Sequence, residues 1–385
     1  MNKKPKLIRI TTIPGSLRGL LTGQLAFMSN HFDVIGISSK GEVLDEVGER
    51  EGVRVLPVDM TRTISPLKDL KAVVQLYKIL KKEKPLIVHT HTPKAGTIGM
   101  LASKLAGVPY RLHTIAGLPL LEATGKKRKI LDIVEKITYS CATKIYPNSS
   151  GLKSIILQNK YTKESKLKVI GKGSSNGIDT SIFNPELYRS NSKKELKQQL
   201  NISEKDFVFV FVGRIVKDKG INELIESFKE LSQQFNNIKL LLVGSFDSNL
   251  DPLKVENQIE LNNNPAIISV GYQKDVRPYF SISNVLTFPS YREGFPNVVL
   301  QAGAMNLNSI VTNINGCNEI IQDGYNGFVI PPKNKEQLFN KMKWLIENQE
   351  QNELMSANTR KNICDNYERK YIWNEILKEY NTIIK

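Results

Sequence analysis

The sequence predicts an α/β protein made of two doubly wound parallel-sheet domains facing across a crevice. Three observations predict it. Short apolar runs alternate with longer amphipathic ones, and the alternation occurs twice along 385 residues. Crossovers of that length join parallel strands and lay helices on both faces of a sheet. The run Phe207–Val212 (FVFVFV) has no polar alternation, which is how a strand buried on both faces reads. At roughly 100–200 residues per domain, the chain has room for two such units.

In the first half the expected strands are Leu7–Thr12, Val34–Ser38, Val53–Val58, Leu86–His91, Tyr110–Ile115 and Lys144–Asn148. The helix pattern is clearest over Pro66–Lys82, where Leu67, Leu70, Val74, Tyr77, Ile79 and Leu80 recur at helical spacing. The join between the halves is expected near Gly173–Phe183, whose Gly, Ser and Asn residues favour turns. Tyr188–Gln199 then reads as the first helix of the second half. The strands there are Phe207–Val212, Lys239–Val243, Ile267–Val270, Val285–Pro289, Ser309–Asn313 and Phe328–Ile330. The expected division is 1–180, 181–365 and a terminal helix over 366–385. That helix carries Tyr371, Trp373, Ile376, Leu377 and Tyr380 and is expected to return to the first domain. In this architecture ligands bind where strand C-termini open into a crevice.

The net charge of +16 is unevenly placed. Residues 1–180 carry 30 Lys and Arg against 14 Asp and Glu, and residues 181–385 carry 24 of each. The cluster Lys126-Lys127-Arg128-Lys129 follows the apolar stretch Gly117–Leu121, a pairing that suits an anionic lipid surface. No nucleic-acid motif accompanies the charge, so a membrane is preferred over nucleic acid. Cys141, Cys317 and Cys364 form neither a disulfide framework nor a CxxC site. Arg9, Thr11 and Thr12 interrupt the N-terminal apolar run, and no apolar run is long enough to span a bilayer. The expected location is cytoplasmic, touching the inner face of the membrane peripherally.

Four segments carry chemistry. In Ser290–Gln301 (SYREGFPNVVLQ) a strand, a turn holding Glu293 and Gly294, and a helix starting near Pro296 form a strand-to-helix anion site. Glu293 would accept hydrogen bonds from sugar hydroxyls. The second is Gly213–Gly220, a tight loop after FVFVFV that brings Arg214 and Lys219 to the strand's end. Arg214 can fork onto phosphate oxygens and Lys219 can act as a point charge, so together they could stabilise a diphosphate without a metal. The third is Pro14–Gly23, whose glycines let a phosphate or sugar approach the backbone. It fits neither GxGxxG nor a P-loop. The fourth is the histidines. His89 and His91 put both rings on one face of a strand, and His113 ends the next strand before Gly117-Leu118-Pro119. A convincing third metal ligand is missing, so hydrogen-bonding or acid–base roles are preferred to metal for these rings. No Asp-x-Asp occurs, so a metal-bridged diphosphate is not expected.

At SYREGFPNVVLQAGA the sequence resembles the retaining glycosyltransferases of family 4, which adopt the two-domain GT-B fold. The resemblance extends to VGRIVKDKG, to NGID at Asn176–Asp179, to DGYNGFVIPP at Asp323–Pro332 and to the terminal helix. VHTHTPKAG (Val88–Gly96) and LHTIAGLP (Leu112–Pro119) look like the capsular-polysaccharide branch. The resemblance implies that Glu293 contacts the donor sugar and that the backbone of Gly294, Phe295, Pro296 and Asn297 holds sugar and phosphate. It also implies that Gly213, Arg214 and Lys219 meet the diphosphate, that Gly15 lies against it, and that His113 sits near the transferred sugar. His91, Leu118, Lys126, Lys127 and Arg128 are the expected acceptor-side residues. Where the family has a second glutamate, this chain has Gln301, neutral and able to bond two hydroxyls. The expectation is a retaining transferase using a nucleotide diphosphate sugar, preferably a UDP-sugar. Its acceptor would be a saccharide, plausibly lipid-linked, in polysaccharide synthesis, with no cofactor and no metal. A sugar-nucleotide epimerase or hydrolase of the same build, or a non-catalytic membrane-associated scaffold, are the alternatives.

Overall fold

The computed structural model describes residues 4–385 apart from 62, 64, 119, 121, 122 and 247–250. Pro119 and Leu121 of the apolar stretch discussed above therefore lie outside the described residues. The chain divides into two compact units, Met1–Asn176 with Lys370–Lys385, and Gly177–Arg369.

The first unit holds β1 (Lys6–Ile10), β2 (Asp33–Ser38), β3 (Arg54–Pro57), β4 (Ile87–Thr90), β5 (Tyr110–Ile115) and β6 (Lys144–Pro147). They form one parallel sheet in the order β3-β2-β1-β4-β5-β6. Its helices are α1 (Pro14–Leu20), α2 (Gln24–Ser29), α3 (Glu42–Glu51), α4 (Pro66–Glu83), α5 (Pro93–Ala106), α6 (Gly125–Cys141) and α7 (Ser150–Gln158). Strand alternation sends Ile8, Ile10 and Val88 to one face, where they pack with α4 and α5 residues such as Leu76 and Ile98. Leu7, Ile87 and Leu112 face the other way, under Leu17 and Leu25.

Only the C-terminal part of the stripe read along α4 packs, where Leu80 is buried and Tyr77 and Ile79 lie against the core. Ala72, Val73, Leu76 and Leu80 are buried, whereas Leu67, Leu70 and Val74 are 84%, 62% and 46% exposed. Spacing locates an apolar face on a helix, but only the neighbours decide which face is covered.

The second unit holds α8 (Ser190–Gln199), β7 (Phe207–Val212), α9 (Ile221–Ser232), β8 (Ile238–Val243), α10 (Val255–Asn263), β9 (Ile267–Ser269), α11 (Arg277–Ser281) and β10 (Val285–Phe288). It continues with α12 (Asn297–Ala304), β11 (Asn308–Thr312), α13 (Cys317–Ile320), β12 (Gly327–Ile330), α14 (Lys335–Glu347) and α15 (Gln349–Tyr367). Its sheet order is β12-β11-β10-β7-β8-β9. Read from the β9 edge, this is the first unit's order, with the first and fourth strands side by side. The direction of winding reverses between those two strands, and the crevice beyond their C-termini is where such sheets bind ligands.

The chain passes from unit to unit at 176/177 and returns at 369/370, a few residues from the boundaries expected at 180 and 366. Side chains set the first point. Asn176 bonds Gln24 and the Thr22 carbonyl, and Trp373 Nε1 donates to its Oδ1 at 2.6 Å. Two residues later Ile178 pairs in parallel with Glu368, and Asp179 takes Arg369. The last helix, α16 (Arg369–Ile384), buries Ile372, Ile376 and Tyr380 with Leu7 and Leu112 of the first unit.

Candidate active site

In the second unit the loops after β7 and β10 leave adjacent parallel strands, because Val285 and Leu286 register with Phe209 and Val210. Both loops therefore emerge at the same end of the sheet. They touch directly. Gly220 has φ +71, and a Cβ there would lie 2.1 Å from the Pro289 carbonyl oxygen. Any side chain at 220 would push the two loops apart. The Tyr291 amide donates to the Asp218 carbonyl at 2.9 Å, and the Arg292 guanidinium donates to the Asp218 carboxylate at 2.6 Å.

This clamp brings Lys219 and Glu293 together. Lys219 Nζ lies 2.5 Å from Glu293 Oε1, with the two side chains 16% and 17% exposed. Ser290 Oγ donates to the same carboxylate oxygen at 3.1 Å. The lysine ammonium also lies 5.8 Å from the centre of the Phe288 ring. Tyr291 is anchored on α9, its hydroxyl donating to Glu223 at 2.6 Å, with Lys333 Nζ 5.0 Å from its ring centre. Arg214 is exposed just beyond the end of β7. The cationic turn and the acidic turn thus occupy one corner of this unit.

The helix after Glu293 begins one residue later than expected. Pro296 is the N-cap of α12, extended at ψ 108, and no side chain caps the first turn. Uncapped amides at a helix N-terminus suit an anion or a sugar oxygen. Phe295 and Pro296 are buried, with the Phe295 ring centre 5.6 Å from that of Tyr367, so their side chains brace the turn. Asn297 is exposed and Gln301 half-buried, four residues apart and hence on one side of α12.

The first unit treats its expected site residues differently. Gly15 is exposed in the first turn of α1, and a Cβ there would meet nothing within 4 Å. Packing does not require glycine at 15. The β1 and β4 loops beside it are joined by Thr12 and Thr92, whose hydroxyls lie 2.6 Å apart. Three expected acceptor-side or sugar-side residues are interior. Leu118 is 6% exposed and part of the hydrophobic core, so it offers no surface to a bound sugar. His113 is buried with Nδ1 2.8 Å from Thr90 Oγ1, its ring lying over Gly96 of α5. Burial pushes its imidazole down to about 4. His91 is buried too, its Nε2 accepting from Arg9 Nε at 3.0 Å. Of the basic cluster, Lys126 and Lys127 are exposed. Arg128 is not available in the same way. It pairs with Asp132 at 2.8 Å and reaches Asn159 and Tyr161 at 3.1 Å, which ties α6 to the end of α7.

Around Arg9 the structure reveals a cluster that pattern reading passed over. Arg9 is fully buried, and its guanidinium bonds neutral groups: His91, Gln24 and the Tyr380 hydroxyl at 2.7 Å. His89 bonds Tyr380 through Nδ1 at 2.5 Å and Thr114 through Nε2 at 2.7 Å. The His89 and His91 ring centroids lie 4.2 Å apart, the planes tilted by 33°. Burial, then the neighbouring Arg9 and histidines, hold both imidazoles well below their ordinary range. Because Nε2 of His91 accepts from Arg9, its proton is on Nδ1, which has no partner. That atom, Asn148 Oδ1 and Ser175 Oγ are all unpaired and all belong to residues around one water-sized cavity. The available signal was Arg9 itself, a lone cation in the apolar strand LIRI.

Known proteins bear on this geometry. Residues 192–362 match the family described as glycosyl transferases group 1, and residues 21–149 the family described as glycosyl transferase 4-like. The chain is 35% identical to the capsular polysaccharide biosynthesis glycosyltransferase CapM of Staphylococcus aureus, over 100% of this chain and 98% of that one. It is 31% identical to the UDP-Gal:alpha-D-GlcNAc-diphosphoundecaprenol alpha-1,3-galactosyltransferase of Escherichia coli, covering 80% and 78% of the two chains. A Campylobacter jejuni N,N'-diacetylbacillosaminyl-diphospho-undecaprenol alpha-1,3-N-acetylgalactosaminyltransferase is 30% identical over 87% of each. Among solved structures, a Rickettsia africae glycosyltransferase superposes with a TM-score of 0.81 at 20% identity, covering 100% of both chains. Anabaena HepE in complex with UDP also gives 0.81, at 17% identity over 98% of this chain and 100% of that one.

Proposed function

Because this chain belongs to the family 4 glycosyltransferases of the GT-B fold, in the branch of capsular-polysaccharide enzymes, we propose that it is a retaining transferase moving a sugar from a UDP-sugar to a lipid-linked saccharide. The observation that carries the reading is the Lys219–Glu293 pair at the reversal point of the second sheet, beside the uncapped start of α12. A cation, a carboxylate and free amides at one corner are what a diphosphate with an attached sugar requires.

In this reading the second unit holds the donor and the first receives the acceptor. Lys219, Arg214 and the α12 amides take the charge that develops on the diphosphate as the bond from the sugar's anomeric carbon breaks. An acceptor hydroxyl attacks from the same face, and its proton passes to the departing phosphate oxygen. The products are the lengthened saccharide and UDP. Glu293 orients the sugar through its hydroxyls. Without donor, Lys219 and Glu293 satisfy each other; with donor, each exchanges that contact for one to the ligand. Gln301 meets the ribose as a neutral hydrogen-bonding group. Gly15 leaves the backbone of the first turn of α1 open to a phosphate.

The preference for UDP rests on the E. coli relative, whose name specifies UDP-Gal. The lipid-linked acceptor rests on the two relatives named for diphosphoundecaprenol substrates. An acceptor of that kind places the enzyme at a membrane surface, on the cytoplasmic side where nucleotide sugars are made. A panel of UDP-Gal, UDP-GalNAc, UDP-Glc, UDP-GlcNAc and GDP-Man, followed by thermal unfolding, tests donor binding, since a ligand of the folded state alone raises the melting point. UDP release measured with and without acceptor then separates transfer from hydrolysis. Release that is independent of acceptor would replace the transferase reading with a hydrolase or epimerase. No shift with any sugar nucleotide would promote a non-catalytic scaffold, the reading that Gln301 favours.

A further inference from the structure

Two helices of the first unit show the same unusual surface. On α4 the exposed apolar residues are Leu67 (84%), Leu70 (62%) and Val74 (46%). On α6 they are Ile130 (50%), Ile133 (58%) and Ile137 (46%). Each trio follows the spacing i, i+3, i+7, which lines one side of a helix. Each ridge runs into lysines at helical spacing. Lys126 precedes Ile130 by four residues, and Lys78 follows Val74 by four, with Lys81 one turn on; all three are exposed.

The two helices flank α5, which is rich in small buried residues: Ala95, Gly96, Gly99, Ala102 and Ser103. Lys94 of α5 pairs with Asp69 of α4 at 2.5 Å, and Thr138 of α6 donates to Thr97 of α5 at 3.0 Å. The three helices are therefore one layer, with a slender helix between two that carry large apolar side chains outward. Isolated exposed apolar residues need no explanation, but two matching ridges in one layer do.

We propose that the α4–α5–α6 layer docks peripherally on an anionic bilayer, with the two ridges entering the acyl boundary and the lysines meeting lipid phosphates. Charge selects this occupant. The chain's whole excess of +16 lies in residues 1–180, and Lys68, Lys71, Lys78, Lys81 and Lys82 of α4 with Lys126, Lys127, Lys129 and Lys136 of α6 are exposed. A second copy would bring these lysines against each other, whereas phosphate headgroups neutralise them. Apolar ridges beside cations are the pattern of helices that lie in a membrane interface. The inference rests on the reading of a lipid-linked acceptor for its purpose, and its test does not require that reading.

The test is co-sedimentation of the full chain with phosphatidylcholine vesicles, with and without about a third phosphatidylglycerol. The comparison variant carries Leu67→Glu, Leu70→Glu, Ile130→Glu and Ile133→Glu. The native protein should bind the anionic vesicles and leave neutral ones in solution, and raised salt should weaken the binding. The variant should lose at least roughly tenfold in partition while keeping its melting point and its transfer to a water-soluble acceptor. Equal partition of variant and native protein, or no binding of the native protein to anionic vesicles, overturns the proposal. So does a native dimer by light scattering that the variant dissolves, since a second copy would then own the ridges. Absence of anionic-vesicle binding by the native protein, with its transfer intact, sinks this inference alone. Failure of transfer to every acceptor with vesicle binding intact sinks only the transferase reading.

Discussion

The two units wind their strands in the same order and fill their interiors with different chemistry. The second buries no charged or histidine residue among those described: Phe209, Phe211, Leu240, Leu241, Leu286 and Ile310 are fully buried, and its buried polar residues, such as Thr287, Asn308 and Thr312, are neutral. Its charged residues of interest, Lys219 and Glu293, sit at the rim and contact each other. The first unit buries Arg9, Gln24, His89, His91 and His113. All four histidines of the chain lie in it. Apolar packing alone therefore does not explain the shared topology; parallel strands with right-handed crossovers do, whatever fills the space between. What the polar interior adds is direction. Arg9 and His89 converge on the Tyr380 hydroxyl, and Asn176 meets Trp373, so α16 is held by bonds that a shifted or rotated helix would lose.

Acid offers the sharpest way to separate the units. His89, His91 and His113 are held below their ordinary range in the folded state, whereas in the unfolded chain they titrate near ~6.5. Below that pH the unfolded chain binds protons that the folded chain refuses, so stability falls as pH drops and is insensitive above it. For three imidazoles the slope reaches roughly 4 kcal/mol per pH unit. The chain has two tryptophans, Trp373 in the first unit and Trp344 in the second. Fluorescence melting of Trp344→Phe and Trp373→Phe should show the Trp373 signal failing first in acid. Equal shifts of both signals would erase the contrast.

Chemistry gives the next largest effect. Glu293→Gln should lower turnover on the order of 10²–10³-fold, while the melting point moves little. Tyr380→Phe should do the reverse, costing about 1–3 kcal/mol of stability by removing the hydroxyl shared by Arg9 and His89. Substantial loss of turnover in Tyr380→Phe at a temperature where it is folded would mean that the buried cluster is catalytic rather than architectural.

Two glycines sharpen the same line at smaller magnitude. Gly96→Ala places a methyl 2.4 Å from the His113 ring and should destabilise the first unit by about 1–3 kcal/mol. Gly15→Ala meets nothing and should leave stability within about 0.5 kcal/mol, while weakening UDP-sugar binding in titration calorimetry. Unchanged affinity in Gly15→Ala would remove α1 from the donor site.

Much of the site was legible because its signals are local. Glu293, Gly294 and Asn297 follow one strand, and Arg214, Lys219 and Gly220 follow another, so strand ends locate both turns in the sequence itself. His113, His91 and Leu118 were harder. Each stands at or near a strand end, where function and burial read alike, and only contacts made across the fold decide: Gly96 of α5 for His113, Arg9 for His91 and the hydrophobic core for Leu118. Arg128 lies among exposed lysines in sequence, yet Asp132 one turn away and Tyr161 on a distant segment claim it. Arg9 was read as an interruption of an apolar run when it is the centre of a buried network.

By itself the sequence determined the twelve strands to within two residues, the doubly wound class and the two turns that carry Lys219 and Glu293, because periodicity and turn chemistry act over a few positions. Tertiary structure alone decided which face of α4 is covered, which cations are free, and that residues 9, 24, 89, 91, 176 and 380 meet. Those outcomes depend on contacts between residues up to 371 positions apart, and no local pattern records what a side chain will find across that distance.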